Sequence, residues 1–132
     1  MKHAPRLADY LEHMQQAAAQ AIAFVEGMNR AAFLNDRRTQ QAVILNLVIL
    51  GEAAGNVLAG HPAFAEHHAK VPWRSIRATR NRLAHGYFDI NLDVVWETVQ
   101  TALPQLLSVL PAMVETARLE AAPGTPPPTS AV

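Results

Sequence analysis

The sequence predicts an all-α fold, an up-down antiparallel bundle of four main helices plus one short helix. Apolar residues recur at steps of three and four along two long segments, which is the spacing of one helical face. No segment shows the strict alternation of apolar and polar residues that would predict a strand. Short loops between the helical segments favour neighbours that run antiparallel.

The first helix is predicted over residues 5–29, with Pro5 suited to its first turn. Asn35 or Asp36 can cap the second helix, whose apolar body covers residues 42–58 and which should end near Gly60. The apolar face of the first helix consists of Leu7, Tyr10, Leu11, Met14, Ala18, Ala21, Val25 and Met28.

Residues 42–58 are apolar around most of the helix circumference, which also allows a membrane span. Asn46, Glu52 and Asn56 interrupt the segment, and a span needs about 20 predominantly apolar residues. We therefore expect no membrane association. The segment fits a central helix that a second subunit helps to bury, and we expect a homodimer.

A short helix is predicted over residues 62–68, and Pro72 is well placed to start a third long helix that Gly86 ends. The residues expected to face inward from this third helix are Trp73, Ile76, Leu83 and Ala84.

Asn91 can cap the final helix, and proline at 104 and 111 should kink it because proline removes a donor and clashes with the preceding turn. The helical domain is expected over residues 1–118. Residues 119–132, rich in proline, are expected to form a disordered tail. The apolar stripe of the final helix consists of Leu92, Val95, Trp96, Val99, Leu103, Leu106, Leu107, Leu110, Met113 and Val114.

Composition limits the classes of function. The 132 residues, half of them hydrophobic, suit one domain, and the absence of cysteine excludes disulfides and thiolate metal sites. The N-terminus lacks a continuous apolar run, so we expect no signal peptide and a cytoplasmic protein. The phosphate-binding, dinucleotide-binding and zinc-protease motifs do not occur, and the histidines are scattered, so we expect neither a metal nor a cofactor.

The net charge is zero, but the segment from residue 67 to 88 carries five basic residues and no acidic one. It forms either an ordinary solvated face or a surface that binds RNA phosphates. The candidate RNA-binding residues are Lys70, Arg74, Arg77 and Arg82.

Arg80 and His85 in this segment suit RNA cleavage. RNA carries its own nucleophile, so a protein needs a group that transfers protons near neutrality, as His85 can, and positive charge on the phosphate, as Arg80 supplies. On one helix the two residues lie about 140° apart. The two side chains converge only if that of Arg80 reaches around the helix, if the helix ends before His85, or if a partner subunit completes the site. We favour the third possibility, a composite cleft in a dimer. The alternative is that His85 caps a helix end and Arg80 is a solvated charge.

Glu52 is a carboxylate in the most apolar helix, so it should reach solvent or pair with Arg77 or Arg80. We expect Glu52 to orient the arginine with which it pairs, and we expect Arg77 to be a supporting residue of the site. Asn81 is expected to orient His85 or a loop carbonyl.

Three segments carry a resemblance to a known family: GEAAGNVL, VPWRSIRATRNRLAHGYFDI and VVWETVQTALPQLL. Together they resemble the HepT family of the HEPN superfamily. The family pattern of Arg, four residues, His, one residue and Tyr falls on Arg80, His85 and Tyr87, and the asparagine after the arginine is Asn81.

The resemblance implies a HEPN-like helical dimer that acts as a metal-independent ribonuclease toxin on mRNA or tRNA. It also implies a nucleotidyltransferase antitoxin of the MNT fold, in a type II or type VII toxin-antitoxin pair, that transfers AMP to Tyr87. One alternative is a noncatalytic HEPN subunit that binds nucleotide or substrate for a nucleotidyltransferase. Another is a structural helical dimer whose basic face binds an acidic protein.

Overall fold

The computed structural model describes residues 6–86 and 89–121, and these residues form helices joined by short turns, with no strand among them. The all-α prediction is confirmed. The helices are α1 (Leu7–Phe24), α2 (Arg30–Leu34), α3 (Arg37–Gly60), α4 (Pro62–His67), α5 (Trp73–His85), α6 (Leu92–Glu97) and α7 (Leu103–Ala121), and a π-helical segment (Thr98–Ala102) joins the last two.

The prediction of one helix over residues 5–29 was wrong at its C-terminal end. Helix α1 ends at Phe24, and Gly27 adopts a φ of 81°, in the left-handed region that favours glycine. Asn29 then caps the separate helix α2, because its side chain accepts a hydrogen bond of 2.8 Å from the backbone N–H of Ala32. The turn between the two helices still buries Val25.

Asp36 caps α3, as the sequence predicted. Its Oδ1 accepts from the Thr39 N–H at 3.1 Å and its Oδ2 accepts from the Thr39 hydroxyl at 2.9 Å. Both hydrogen bonds favour the charged carboxylate and lower the pKa of Asp36 below its ordinary value of 3.8. The bond from the backbone N–H of Thr39 has the larger effect, and the bond from the Thr39 hydroxyl adds to it. At the other end of α3, Gly60 is the last helical residue and Pro62 begins α4.

Asn91 caps α6 by accepting from the backbone N–H groups of Asp93 and Val94, at 3.0 and 3.2 Å. The π-helical segment ends one residue before Leu103, the first residue of α7, and Pro104 is the second residue of that helix. The Leu103 N–H bonds to the carbonyl of Thr98. Pro111 lies inside α7. The bends at the two prolines stay a prediction. Helix α7 continues beyond residue 118 to 121, and the rest of the tail lies outside the described residues.

The helices pack in the order α5, α3, α1, α7. Helix α1 packs against α3 and α7, α3 lies between α1 and α5, and α2 fits between α3 and α6. Their shared core includes the fully buried side chains of Leu11, Met14, Val43, Val57 and Leu110. Because α5 packs mainly on α3, a groove of about 810 Å³ stays open between α5 and α7.

Helix α3 is long and apolar enough, by length and composition, to cross a membrane, and 44% of its most apolar stretch is buried. Packing against α1 and α5 accounts for that buried part. On the opposite side of α3, Leu45 is 59% exposed and Ile49 is 40% exposed. We call this pair the α3 apolar stripe.

Candidate active site

Helix α5 carries most of the predicted site residues and is fixed to the bundle by a narrow buried side. Trp73 and Leu83 are buried and Ile76 is half-buried, as the sequence predicted. The indole N–H of Trp73 donates to the carbonyl of His68 at 3.1 Å. Ala84 is exposed, so its predicted inward position was wrong. Because α5 packs mainly on one neighbour, its buried side is too narrow to include the residue that follows Leu83.

Two glycines in α3 allow α5 to approach closely at the positions where Arg80 and Arg77 of α5 lie against α3. A β-carbon on residue 51 would collide with Cβ of Arg80 and would lie 2.9 Å from the carbonyl oxygen of Ile76. A β-carbon on residue 55 would lie 3.2 Å from Cδ of Arg77. The aliphatic part of Arg80 therefore passes directly over Gly51, and that of Arg77 passes over Gly55. Both arginines can lie this close to α3 because the two glycines have no side chain.

Arg80 and Glu52 form the ion pair that the sequence predicted as one of two possibilities. The Nε atom of Arg80 lies 3.1 Å from Oε1 of Glu52. This Nε is buried and its N–H makes no well-aligned hydrogen bond, so the contact is electrostatic rather than a directed hydrogen bond. On its other side the guanidinium donates from Nη1 to Oδ1 of Asn81 at 3.0 Å. Glu52 and Asn81 therefore both hold the guanidinium of Arg80.

His85 is exposed and is the last residue of α5. The helix therefore does not end before His85, and one of the three proposed routes to convergence with Arg80 is excluded. The N–H of Gly86 bonds to the carbonyl of Arg82 at 2.9 Å and closes the helix end.

Asn81 and His85 lie four residues apart and so share a side of α5. The hydrogen bond to Asn81 draws the Arg80 guanidinium toward this side. The arginine thus reaches part of the way around the helix toward His85.

The four predicted RNA-binding residues are all exposed. Arg74, Arg77 and Arg82 lie on α5, and Nη2 of Arg82 approaches the Thr79 hydroxyl at 3.4 Å. Lys70 precedes α5 and lines the groove between α5 and α7. Tyr87, the predicted AMP acceptor, lies outside the described residues.

A second pocket, of about 220 Å³, opens beside Glu52 between α1 and α3. Its lining consists of His13, Val48, Ile49, Glu52, Ala53 and Asn56. His13 and Asn56 were not predicted as site residues. Their spacing in the sequence gives no signal, because only the packing of α1 on α3 brings His13 near Glu52. Within residues 6–86 and 89–121 no group of three His, Asp or Glu side chains is arranged to hold a metal ion.

Helix α5 offers an oriented cation, Arg80, and an exposed imidazole, His85. Arginine stays charged at all physiological pH values and binds phosphate oxygens in pairs, and histidine exchanges protons near neutrality. An all-α bundle that carries an arginine and a histidine of this kind on one helix has groups suited to phosphodiester chemistry.

Comparison with known proteins identifies the family. A family model described as "Ribonuclease HepT-like" matches residues 14–113, which include α2 to α6 and most of α1 and α7. The chain belongs to the HepT-like ribonuclease family.

Named relatives agree with this assignment. The chain is 38% identical over 102 residues to a "Probable ribonuclease HepT" of Thermococcus cleftensis, with 74% of this chain and 86% of the relative covered. It is 37% identical over 97 residues to a protein of Caldanaerobacter subterraneus subsp. tengcongensis that is provisionally named an RNase, with 74% and 84% covered. A protein of Methanocaldococcus jannaschii, also provisionally named an RNase, is 36% identical over 98 residues, with 74% and 75% covered. No solved structure matches the chain.

Proposed function

We propose that the protein is a metal-independent endoribonuclease in which Arg80 and His85 act on the scissile phosphodiester. The observation that carries this proposal is the position of the Arg80 guanidinium, which Glu52 and Asn81 hold at the surface on the side of α5 that leads to His85. An arginine held by a carboxylate and an amide has a defined orientation, which a freely solvated surface arginine lacks.

The proposed chemistry uses the ribose hydroxyl next to the scissile phosphate as nucleophile. His85 takes the proton of this hydroxyl or gives one to the leaving oxygen. Arg80 donates hydrogen bonds to the nonbridging oxygens, on which negative charge develops in the transition state. Asn81 and Glu52 orient the guanidinium. Arg74, Arg77, Arg82 and Lys70 add affinity for the RNA backbone without reading its sequence.

A homodimer completes the site in this proposal. Arg80 and His85 lie on the same helix about 140° apart, so one chain aligns them only in part. The α3 apolar stripe supports a dimer, because it exposes Ile49 and Leu45 about one and two turns before Glu52 on α3. A second copy packed on this stripe would bring its own α5 beside Arg80 of the first.

Mixing two inactive variants tests the composite cleft. If each site combines Arg80 of one subunit with His85 of the other, a mixture of Arg80→Ala and His85→Ala chains forms mixed dimers with one intact site. Subunit exchange at equal amounts then restores about a quarter of the wild-type activity, since half of the dimers are mixed and each has one working site of two. An inactive mixture whose subunits have exchanged would contradict a site shared between subunits.

The proposed biological role is that of a toxin that a nucleotidyltransferase antitoxin of the MNT fold neutralises by AMP transfer to Tyr87. Support comes from the family membership and from the position of Tyr87, two residues after His85 in the sequence. An added AMP would place a nucleotide and a negative phosphate near the catalytic histidine, where it would block and repel RNA. Growth arrest on expression of the wild type but not of His85→Ala tests the toxin role. Mass spectrometry of Tyr87 after co-expression with a cognate nucleotidyltransferase tests the modification.

A further inference from the structure

The pocket beside Glu52 lies next to the guanidinium that the proposed mechanism places on the phosphate. Glu52 belongs to both features, because its Oε1 faces Arg80 and its side chain lines the pocket. A phosphate bound by Arg80 would therefore place one of the two flanking nucleotides at the mouth of this pocket. A volume of about 220 Å³ suits one planar ring system rather than a folded segment of RNA.

The lining combines three apolar side chains with three polar ones. Val48, Ile49 and Ala53 come from two adjacent turns of α3 and provide apolar surface for the face of a base. Glu52 is 58% exposed, so the carboxylate is accessible to a ligand as well as to Arg80. His13 and Asn56 add an imidazole, which stacks on bases or hydrogen-bonds to them, and an amide with both donors and an acceptor.

The geometry points to a nucleobase subsite formed by His13, Glu52 and Asn56, which takes a base with an exocyclic amino group. This inference rests on the proposed ribonuclease function. The carboxylate of Glu52 is an acceptor only, so it favours the amino group of adenine, cytosine or guanine and disfavours the carbonyl oxygen that uracil carries at the equivalent position. His13 and Asn56 line the pocket, whereas the partners of Arg80 are Glu52 and Asn81, so His13 and Asn56 act as specificity-determining residues rather than catalytic ones.

The α3 apolar stripe is compatible with this subsite. Leu45 and Ile49 lie about one to three turns before Glu52 and Asn56 on the same helix, so a second copy packed on the stripe lies beside the pocket. Ile49 is common to both surfaces, and a second copy would deepen the pocket at that wall.

Binding of short 2′-O-methyl oligonucleotides tests the subsite independently of cleavage, because these oligomers cannot supply the ribose nucleophile. Wild-type protein is expected to bind oligo(A) and oligo(C) about tenfold more tightly than oligo(U), in line with the discrimination of one well-placed base contact. His13→Ala and Asn56→Ala each remove a group that holds the base against Glu52, so each should lower this ratio toward one while oligo(U) binding changes little. His67→Ala is the matched control, since His67 is exposed at the end of α4 and does not line the pocket.

Two results would overturn the subsite: equal binding of all oligomers by the wild type, or a base preference that both variants retain. The failure of the ribonuclease proposal is distinguishable from either. A protein that cuts no RNA but loses its base preference in His13→Ala keeps the subsite and loses the catalytic function. A protein that cuts RNA with the same distribution of bases at the cut sites in wild type and in both variants keeps the function and loses the subsite.

Discussion

Gly51 faces the side-chain stem of Arg80 so closely that no side chain at residue 51 fits between α3 and α5. The close approach places the arginine against α3, where Glu52 meets its Nε atom. The position of the proposed catalytic cation therefore depends on a residue that contributes no functional group.

Gly51→Ala should destabilise the protein and lower RNA cleavage together. The new methyl group must push aside Cβ of Arg80 and the backbone oxygen of Ile76, and crowding of this kind typically costs about 1–3 kcal/mol. Thermal unfolding and a cleavage assay measure the two effects. Gly60→Ala is the matched control, because a β-carbon there meets nothing within 4 Å and should leave both properties intact or raise stability slightly. Equal behaviour of the two variants would refute the close packing of α5 on Gly51.

Glu52→Gln should lower the cleavage rate modestly and leave the fold intact. The glutamine keeps the size of the side chain and loses the charge that holds Arg80, and the glutamate is more than half exposed, so little stability depends on the pair. Arg80→Ala should instead reduce the rate on the order of a hundredfold or more, because it removes the group that binds the developing charge. Cleavage rates under single-turnover conditions compare the variants. A Glu52→Gln rate equal to that of the wild type would show that Glu52 does not orient the arginine.

Asp36 should make stability depend on pH below its ordinary pKa. The pKa of this carboxyl is lowered in the folded state by hydrogen bonds from Thr39, so the charged form stabilises the fold above 3.8 and this contribution disappears as the pH falls through the lowered value. Asp36→Asn still caps α3 but does not titrate. When the pH is lowered from about 6 to about 3, the melting temperature of the wild type should therefore fall more than that of Asp36→Asn. A constant difference between the two melting temperatures over that range is the contrary result.

The α3 apolar stripe should form the dimer interface. Leu45→Glu and Ile49→Glu place charge on exposed positions of α3, so each chain should fold, but a partner could not pack on a charged stripe without a desolvation cost. Light scattering after size-exclusion chromatography should give a dimer mass for the wild type and a monomer mass for both variants, with loss of cleavage. Leu119→Glu is the control, because Leu119 is 61% exposed on α7 and lies away from the stripe. Dimers that persist in both α3 variants would place the interface elsewhere.

Most helices could be predicted because their signals are local. Asp36 and Asn91 cap α3 and α6 with their own side chains, and the buried stripe of α1 follows its spacing in the sequence. Helix α2 was missed because the apolar residues around Val25 and Met28 continue the helical spacing across the turn. Gly27 and Asn29 are the local signals that end α1 and begin α2, and their effect outweighs that periodicity.

The candidate site was predictable where residues share one helix and not where two helices meet. The pairing of Glu52 with a nearby arginine follows from the cost of a lone carboxylate in an apolar helix. The choice of Arg80 over Arg77 follows from the crossing of α5 at Gly51, which the sequence alone does not place. His13 lies 39 positions before Glu52, so its place beside the same carboxylate depends wholly on the packing of α1 against α3.

Cleavage of total RNA and purified tRNA by the isolated protein in EDTA tests the central claim most directly. The comparison uses wild type and a His85→Ala variant with the same melting temperature, after mass spectrometry has shown that Tyr87 carries no AMP. The account predicts that the wild type cuts RNA without divalent metal and that the variant does not. Equal background in both proteins would contradict the enzymatic mechanism and favour a noncatalytic HEPN subunit that binds nucleotide or substrate for a nucleotidyltransferase.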